Sequence, residues 1–312
     1  MSHIVIAGGT GVLGQALAEY FSAKNRDVIV LSRRGGAAPG KVRHVQWNGL
    51  PAEQAEEWEQ WLHGAAAVIN MAGRSVNCRY TARNRRAMMD SRILSTRALA
   101  AALTRCKTMP AVWLNSSTAT IYKHTFGPAH DERGEIGATD AARDAFSIEI
   151  ATRWERELFA SSTPIRKVAL RTAVVLSHRP GNMVGILRRL ARFGLGGRMG
   201  DGKQWVSWVH ERDFCRAVEF LIEHPELEGP VNVAAPNPVT NAEMMQAFRQ
   251  LERRRIGLPA ARWMLEVGAF VLRTETELLL KSRRVVPGRL VEAGFKFEFV
   301  QFEESLRNLA SR

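Results

Sequence analysis

The heptapeptide GGTGVLG (8–14) directly follows a short β-rich run, HIVIA (3–7), and opens a helix-patterned stretch, GVLGQALAEYFSAK. It satisfies G-x-G-x-x-G at Gly9, Gly11 and Gly14, and G-x-x-G-x-x-G at Gly8, Gly11 and Gly14. Glycines at such spacing permit a tight turn, admit a pyrophosphate close to the backbone and allow the helix to pack against the strand. The helix N-terminus then offers unpaired N–H groups to the phosphates. The competing reading is a purely structural glycine turn. The strand–turn–helix context favours a dinucleotide site, with Gly8, Thr10, Gly11, Val12, Leu13 and Gly14 as its phosphate-binding residues.

Strand and helix signals alternate through the first half of the chain. DVIVLS (27–32), VRHVQW (42–47), AAAVINMAG (65–73), AVWLNSS (111–117) and RKVALRTAVVLS (166–177) read as strands. AEQAEEWEQWLHG (52–64), TARNRRAMMDSRILSTRALAAAL (81–103) and DAFSIEIATRWERELFA (144–160) read as helices between them. This alternation predicts an α/β fold with a doubly wound parallel sheet and right-handed crossovers. After residue 178 the rhythm breaks. A Gly-rich, then aromatic segment, GLGGRMGDGKQWVSWVH (194–210), leads to helices at ERDFCRAVEFLIEH and NAEMMQAFRQLERR, the latter capped by Thr240 or Asn241. The segment GPVNVAAPNPVT reads as a strand, and FKFEFV (295–300) is a further short apolar run in a mostly helical C-terminal part.

The second strand ends in LSRRGG, so Ser32, Arg33 and Arg34 stand where an NAD site places an acidic residue for the ribose 2′-OH. Two guanidiniums there suit a 2′-phosphate through charge-assisted hydrogen bonds, which predicts NADP(H) over NAD. Forty-four basic against thirty-one acidic residues give +13, which favours anionic partners. Arg spread over a solvated surface explains most of it. Cys78, Cys106 and Cys215 form no metal-ligand spacing, so no metal is expected. A reduced cytoplasmic setting, with no signal peptide and no membrane span, is the expectation. The segment WMLEVGAFVL (263–272) reads as a buried helix, being short and interrupted by Glu266.

These features, with NMAG (70–73), SSTATIY (116–122) and LRTAVVLS (170–177), resemble the extended, sugar-nucleotide-epimerase form of the short-chain dehydrogenase/reductase superfamily. GLGGRMGDGKQWVSWVHERD (194–213), GPVNVAAPNPVTNAEM (229–244) and RRVVPGRLVEAGFKF (283–297) resemble its atypical YfcH-type branch of "epimerase family" proteins, nearly end to end. The resemblance implies a Rossmann domain at 1–177 and a smaller substrate lobe at 178–312, their chain contributions interleaved. It implies an NADP(H) site that adds Asn70, Met71, Ala72, Gly73, Ser116, Ser117, Arg171 and Thr172 at the carboxyl edge of the sheet, where ligands sit in open α/β folds. It also implies a small-molecule substrate such as a nucleotide sugar. Relatives often dimerise, and helix 81–103 is a candidate homodimer surface.

Active relatives use a Ser or Thr, here Thr118, with a Tyr-x-x-x-Lys on the next helix. The Tyr is the acid/base, and the Lys lowers its pKa and holds the nicotinamide ribose. This chain carries Phe146 and Ile150 at those places, and neither can transfer a proton. Three readings stay open: an enzyme with a substituted relay, with Tyr122 the replacement candidate; an NADPH-binding sensor or scaffold without turnover; and a nucleic-acid binder. RNRR (83–86), RRR (253–255) and SRR (282–284) supply charge for the last, but aromatic interleaving is poor and no RNA motif occurs. For substrate, the Gly-rich loop with Arg198, Lys203, Trp205, Trp208 and His210 is the candidate. Trp supplies flat apolar contact and glycines let a loop close.

Overall fold

A computed structural model describes residues 3–37, 40–261, 263–266 and 277–311. Residues 267–272 of the expected buried helix lie outside the described residues. The first half builds strand β1 (Ile4–Ala7), helix α1 (Val12–Ala23), β2 (Val28–Ser32), β3 (Gly36–Ala37), β4 (Val42–Gln46), β5 (Ala67–Asn70), α2 (Ala82–Thr104), β6 (Val112–Thr118), α3 (Ala145–Phe159) and β7 (Arg166–Thr172). The second half builds β8 (Val174–Leu176), α4 (Met183–Arg192), β9 (Trp205–Val206), β10 (Trp208–His210), α5 (Glu211–Glu223), β11 (Gly229–Val233), β12 (Val239–Thr240), α6 (Asn241–Leu251), α7 (Glu277–Leu280), α8 (Gly288–Glu292) and α9 (Phe302–Ala310).

Among the described residues one sheet has eight strands, in the order β11-β7-β6-β5-β1-β2-β4-β3. All its pairings are parallel except β3 on β4. The order runs outward from β1 in both directions, which is the doubly wound α/β arrangement expected from the alternation. β1, β2 and β5 are buried at every position, as strands covered on both faces must be. One face packs on α1 and α5 through Leu17, Phe21, Phe214 and Val218. The other packs on α2 and a 3-10 helix, Glu57–Leu62, through Leu99, Leu103, Trp58 and Leu62. A separate cluster around Leu187, Trp208, Phe248 and Phe302 forms the core of the smaller C-terminal region.

Three local expectations are revised. The stretch 52–64 forms only a 3-10 helix, Glu57–Leu62; Glu53, Glu56, Glu57 and Glu59 crowd like charges at i,i+3 and i,i+4 spacing, which penalises a longer helix. The run 166–177 is two strands. Ala173 donates its N–H to Val233 in the main sheet, and Val174 turns to Ser207, so β8 leaves to pair with β10. Helix α4 falls where no helix is expected, although Asn182 caps it and Val184, Leu187 and Ala191 form its buried face. The short apolar run at 295–300 is irregular, its Glu298 and Phe299 N–H groups donating to the Asp213 carboxylate.

Candidate functional site

The glycines of the first turn divide into two kinds. A Cβ on Gly14 would stand 2.5 Å from the Cα of Gly9, and one on Gly8, which sits at φ +75°, would stand 2.7 Å from the backbone of Ala72. These positions are glycine because the chain itself fills the space. Gly11 differs: the nearest atom to a Cβ there is the Gly8 carbonyl oxygen at 3.6 Å. Thr10 and Gly11 are exposed at the tip of the turn. The first helical bond runs from Gln15 N–H to Gly11, so Val12, Leu13 and Gly14 precede any helical acceptor. No side chain caps this end. Gly11 and the uncapped helix terminus are exposed together, an arrangement that fits a pyrophosphate.

At the end of β2, the buried Ser32 hydroxyl donates to the Arg34 carbonyl at 2.7 Å. That bond folds the turn and leaves the Arg33 and Arg34 side chains exposed, with no ion pair among the described residues. At the end of β5, Asn70 is fully buried. Its Nδ2 donates to Asn115 Oδ1 at 2.8 Å and its Oδ1 accepts the Ala72 N–H at 3.0 Å. Asn70 therefore shapes the turn. Met71 and Ala72 pack against the two opposite sheet faces, and Gly73 is exposed beyond them.

Tyr122, Arg171 and Ser117 come together, but in the interior. Arg171 grips Glu155 with two hydrogen bonds, Nε to Oε1 at 2.9 Å and Nη2 to Oε2 at 2.8 Å. Ser117 Oγ donates to the same carboxylate at 2.6 Å. The third guanidinium arm donates to the Tyr122 hydroxyl at 2.9 Å, and that hydroxyl donates to Asn232 Oδ1 at 2.8 Å. Tyr122 is 1% exposed. Burial pushes its phenol up to about 12, with the Arg171 charge pulling the other way. Burial alone would lower the Arg171 pKa, but the Glu155 contact outweighs it and holds the guanidinium above its ordinary range. Ser116 and Thr118 are half-buried at the end of β6. Thr118 Oγ1 accepts the Thr120 N–H at 3.1 Å, and Thr172 Oγ1 donates to the Leu170 carbonyl at 3.2 Å.

On α3, Ile150 is buried and Phe146 meets the Tyr80 ring edge-on at 5.3 Å between centroids. The C-terminal segment closes over the start of this helix. Lys281 Nζ pairs with Asp144 at 2.5 Å, both side chains fully buried, and donates to the Thr120 carbonyl at 2.7 Å. Arg283 Nη1 donates to Thr120 Oγ1 at 3.0 Å, and Ser147 donates to Glu277 at 2.9 Å. Burial lowers the Lys281 pKa, with Asp144 opposing, and raises that of Glu277. Lys281, Asp144 and Glu277 escape the sequence reading, and Arg283 enters it only as part of the SRR charge run. A lysine ending the apolar run ELLLK was the available signal.

The expected substrate residues are dispersed. Arg198 and Lys203 are exposed. Trp208 is fully buried, its Nε1 donating to the Asn237 carbonyl at 2.9 Å. His210 is fully buried, stacks on Phe299 at 3.9 Å and accepts the Arg212 N–H to cap α5. Only Trp205 adjoins the closing segment: its carbonyl accepts the Arg283 N–H at 2.8 Å, and Arg284 lies 4.2 Å over its ring. The Gly-rich loop is pinned, with Asn241 taking the Met199 N–H on its side chain and giving its own N–H to Gln204.

The model of the NAD dependent epimerase/dehydratase family matches residues 4–234. The chain belongs to that family. A second model, a domain of unknown function (DUF1731), matches residues 260–309, the part that supplies Lys281 and Arg283 to the family fold. The epimerase family protein Mb2239 of Mycobacterium bovis is 33% identical over 312 residues, covering 99% of this chain and 98% of its own. The structure of human epimerase family protein SDR39U1 with NADPH is similar at a TM-score of 0.85 and 27% identity, covering 99% of both chains. A UDP-glucose 4-epimerase of Thermus thermophilus shares the fold at a TM-score of 0.73 and 16% identity, covering 99% of this chain and 98% of its own. The expected resemblance to an atypical extended epimerase-type protein is borne out. No helix among the described residues is long and apolar enough to cross a membrane.

Proposed function

We propose that this chain binds NADP(H) across the carboxyl edge of its sheet and presents the nicotinamide to a small carbonyl or hydroxyl compound, a nucleotide sugar being the class that the fold suggests. The observation that carries the reading is the pair Arg33 and Arg34, exposed and unpaired among the described residues at the end of β2, one strand from the exposed turn at Gly11. Support also comes from the human relative, which is similar over 99% of both chains and whose structure contains NADPH.

When bound, the cofactor would supply hydride chemistry. The chain's own residues divide the remaining work. Val12, Leu13 and Gly14 offer N–H groups to the pyrophosphate, and Arg33 and Arg34 neutralise the 2′-phosphate. Thr118 brings a hydroxyl to the end of β6. No residue at 146 or 150 moves a proton, so a substrate alcohol or carbonyl would exchange its proton with water or with its own neighbouring groups. A second reading, an NADPH-binding protein without turnover, is favoured by one feature: the Tyr122 hydroxyl has both of its partners inside the protein.

The test is a titration of the purified protein with NADPH and NADH, followed by tryptophan fluorescence. The parent should prefer NADPH. Arg33→Ala should lose roughly 1.5–3 kcal/mol toward NADPH, the worth of a charged hydrogen bond, with NADH almost unaffected. An unchanged NADPH/NADH ratio in the variant would refute the assignment of the 2′-phosphate to this turn.

A further inference from the structure

The relay pattern gives the lysine at position 150 two tasks, and one of them, holding the nicotinamide ribose, needs only a cation. Ile150 supplies none. The missing charge returns to the same helix face from α2. Phe146, Ile150 and Trp154 are spaced four apart along α3, so they share a face. The Arg92 guanidinium carbon lies 5.0 Å over the ring of Trp154, and that of Arg85 lies 4.8 Å over Phe146. Residues 85 and 92 are seven apart, hence on one face of α2. Two guanidiniums thus cover the two aromatic residues that flank position 150.

Arg92 has a further neighbour. A Cβ built on Gly73 would meet its guanidinium carbon at 3.3 Å, so the charge stands against the end of β5. Its Nη1 donates to the carbonyls of Arg74 and Met88 at 3.1 and 2.9 Å. Among the described residues no carboxylate pairs with it. Burial lowers its pKa to about 10, which still leaves it charged at neutral pH. A partly dehydrated cation without a counter-charge costs stability, and a polar or anionic ligand at that place would offset the cost.

The sheet order fixes which part of a ligand that is. From β2 through β1 and β5 to β6, the strand ends present Arg33, the Gly11 turn, Gly73 and Thr118. With the 2′-phosphate at Arg33 and the pyrophosphate at the turn after β1, the remaining half of a dinucleotide would extend toward β5 and β6, the side on which Arg92 stands. We propose that Arg92 binds the nicotinamide half of the dinucleotide, as the cation that replaces the lysine absent from position 150. The inference rests on the NADP(H) reading above. A guanidinium keeps its proton at working pH, so Arg92 binds and orients without serving as a relay.

The test compares NADPH with 2′,5′-ADP, which has the adenosine half and the 2′-phosphate but no nicotinamide. Dissociation constants are measured for the parent, Arg92→Met, Arg92→Gln and Arg33→Ala. Arg92→Gln retains a donor for the two carbonyls, so it keeps the comparison usable if the Met variant does not fold. The expected result is that both Arg92 variants lose about tenfold or more toward NADPH and hold 2′,5′-ADP within twofold, while Arg33→Ala loses both ligands. A folded Arg92 variant that binds NADPH like the parent, or that loses both ligands equally, would overturn the proposal and leave the NADP(H) reading standing. A parent that binds neither ligand would overturn both.

Discussion

Tyr122 shows how much of a residue's chemistry is set by surroundings that its type does not reveal. It lies in SSTATIY, four residues from Thr118, and a tyrosine is the natural substitute for the one missing at position 146. Its hydroxyl instead joins Arg171 to Asn232 beneath the strand ends, and burial keeps the phenol protonated far above neutral pH. Removing only the oxygen takes the donor from Asn232 Oδ1 and leaves the Arg171 Nη1 arm only the longer bond to the Glu132 carbonyl, at 3.5 Å. Tyr122→Phe should therefore cost about 1–3 kcal/mol of stability while NADPH binding stays within twofold. Denaturant unfolding and the fluorescence titration measure the two quantities on one preparation. Unchanged stability with lost cofactor binding would place Tyr122 in the site after all. The motif located this residue in the chain, but burial depended on Arg171 and Asn232, 49 and 110 residues away, and no local pattern carries contacts of that range.

The alternation of strand and helix signals was legible: α1, α3 and the parallel strands follow the apolar rhythm of the sequence, and α2 was legible from its Ala/Leu/Arg content. Part of what was not legible depends on partners distant in the chain, whereas α4 carried a local cap and apolar face that the reading passed over. The division of 166–177 into β7 and β8 is decided by Val233 and Ser207, which claim the N–H groups on either side of the break. The first turn gives a test in which sequence pattern and packing make different predictions. The pattern treats Gly11 and Gly14 alike. The structure does not, since a methyl on Gly14 overlaps the Gly9 backbone and one on Gly11 meets nothing closer than 3.6 Å. Gly14→Ala should push α1 off β1 and cost about 1–3 kcal/mol, as overpacking does. Gly11→Ala should melt within a degree or two of the parent and bind NADPH far more weakly, because the methyl occupies ligand space. Thermal melts paired with titrations read both. Equal destabilisation in the two variants would mean that Gly11 is also a packing glycine.

Among the described residues the second half of the chain meets the first at several places, α5 packing beside α1 among them, and two more bear on the site. β11 comes from the second half of the chain yet closes the main sheet beside β7, and the segment after α7 returns to the start of α3. At that second seam Lys281 and Asp144 are a fully buried ion pair. Such a pair contributes little net stability, because both charges have lost their water; breaking it is costly, because one charge then remains buried and uncompensated. Lys281→Met should destabilise the protein by about 3–5 kcal/mol by stranding the Asp144 carboxylate. Asp144→Leu should cost a similar amount by stranding Lys281. The double variant should recover most of either loss, since an apolar pair of similar volume replaces the ions without leaving a charge behind. Chemical unfolding of the four proteins yields the coupling directly. Additive single losses would show that the two side chains act independently, and that the seam is held instead by Arg283 on Thr120 and Ser147 on Glu277.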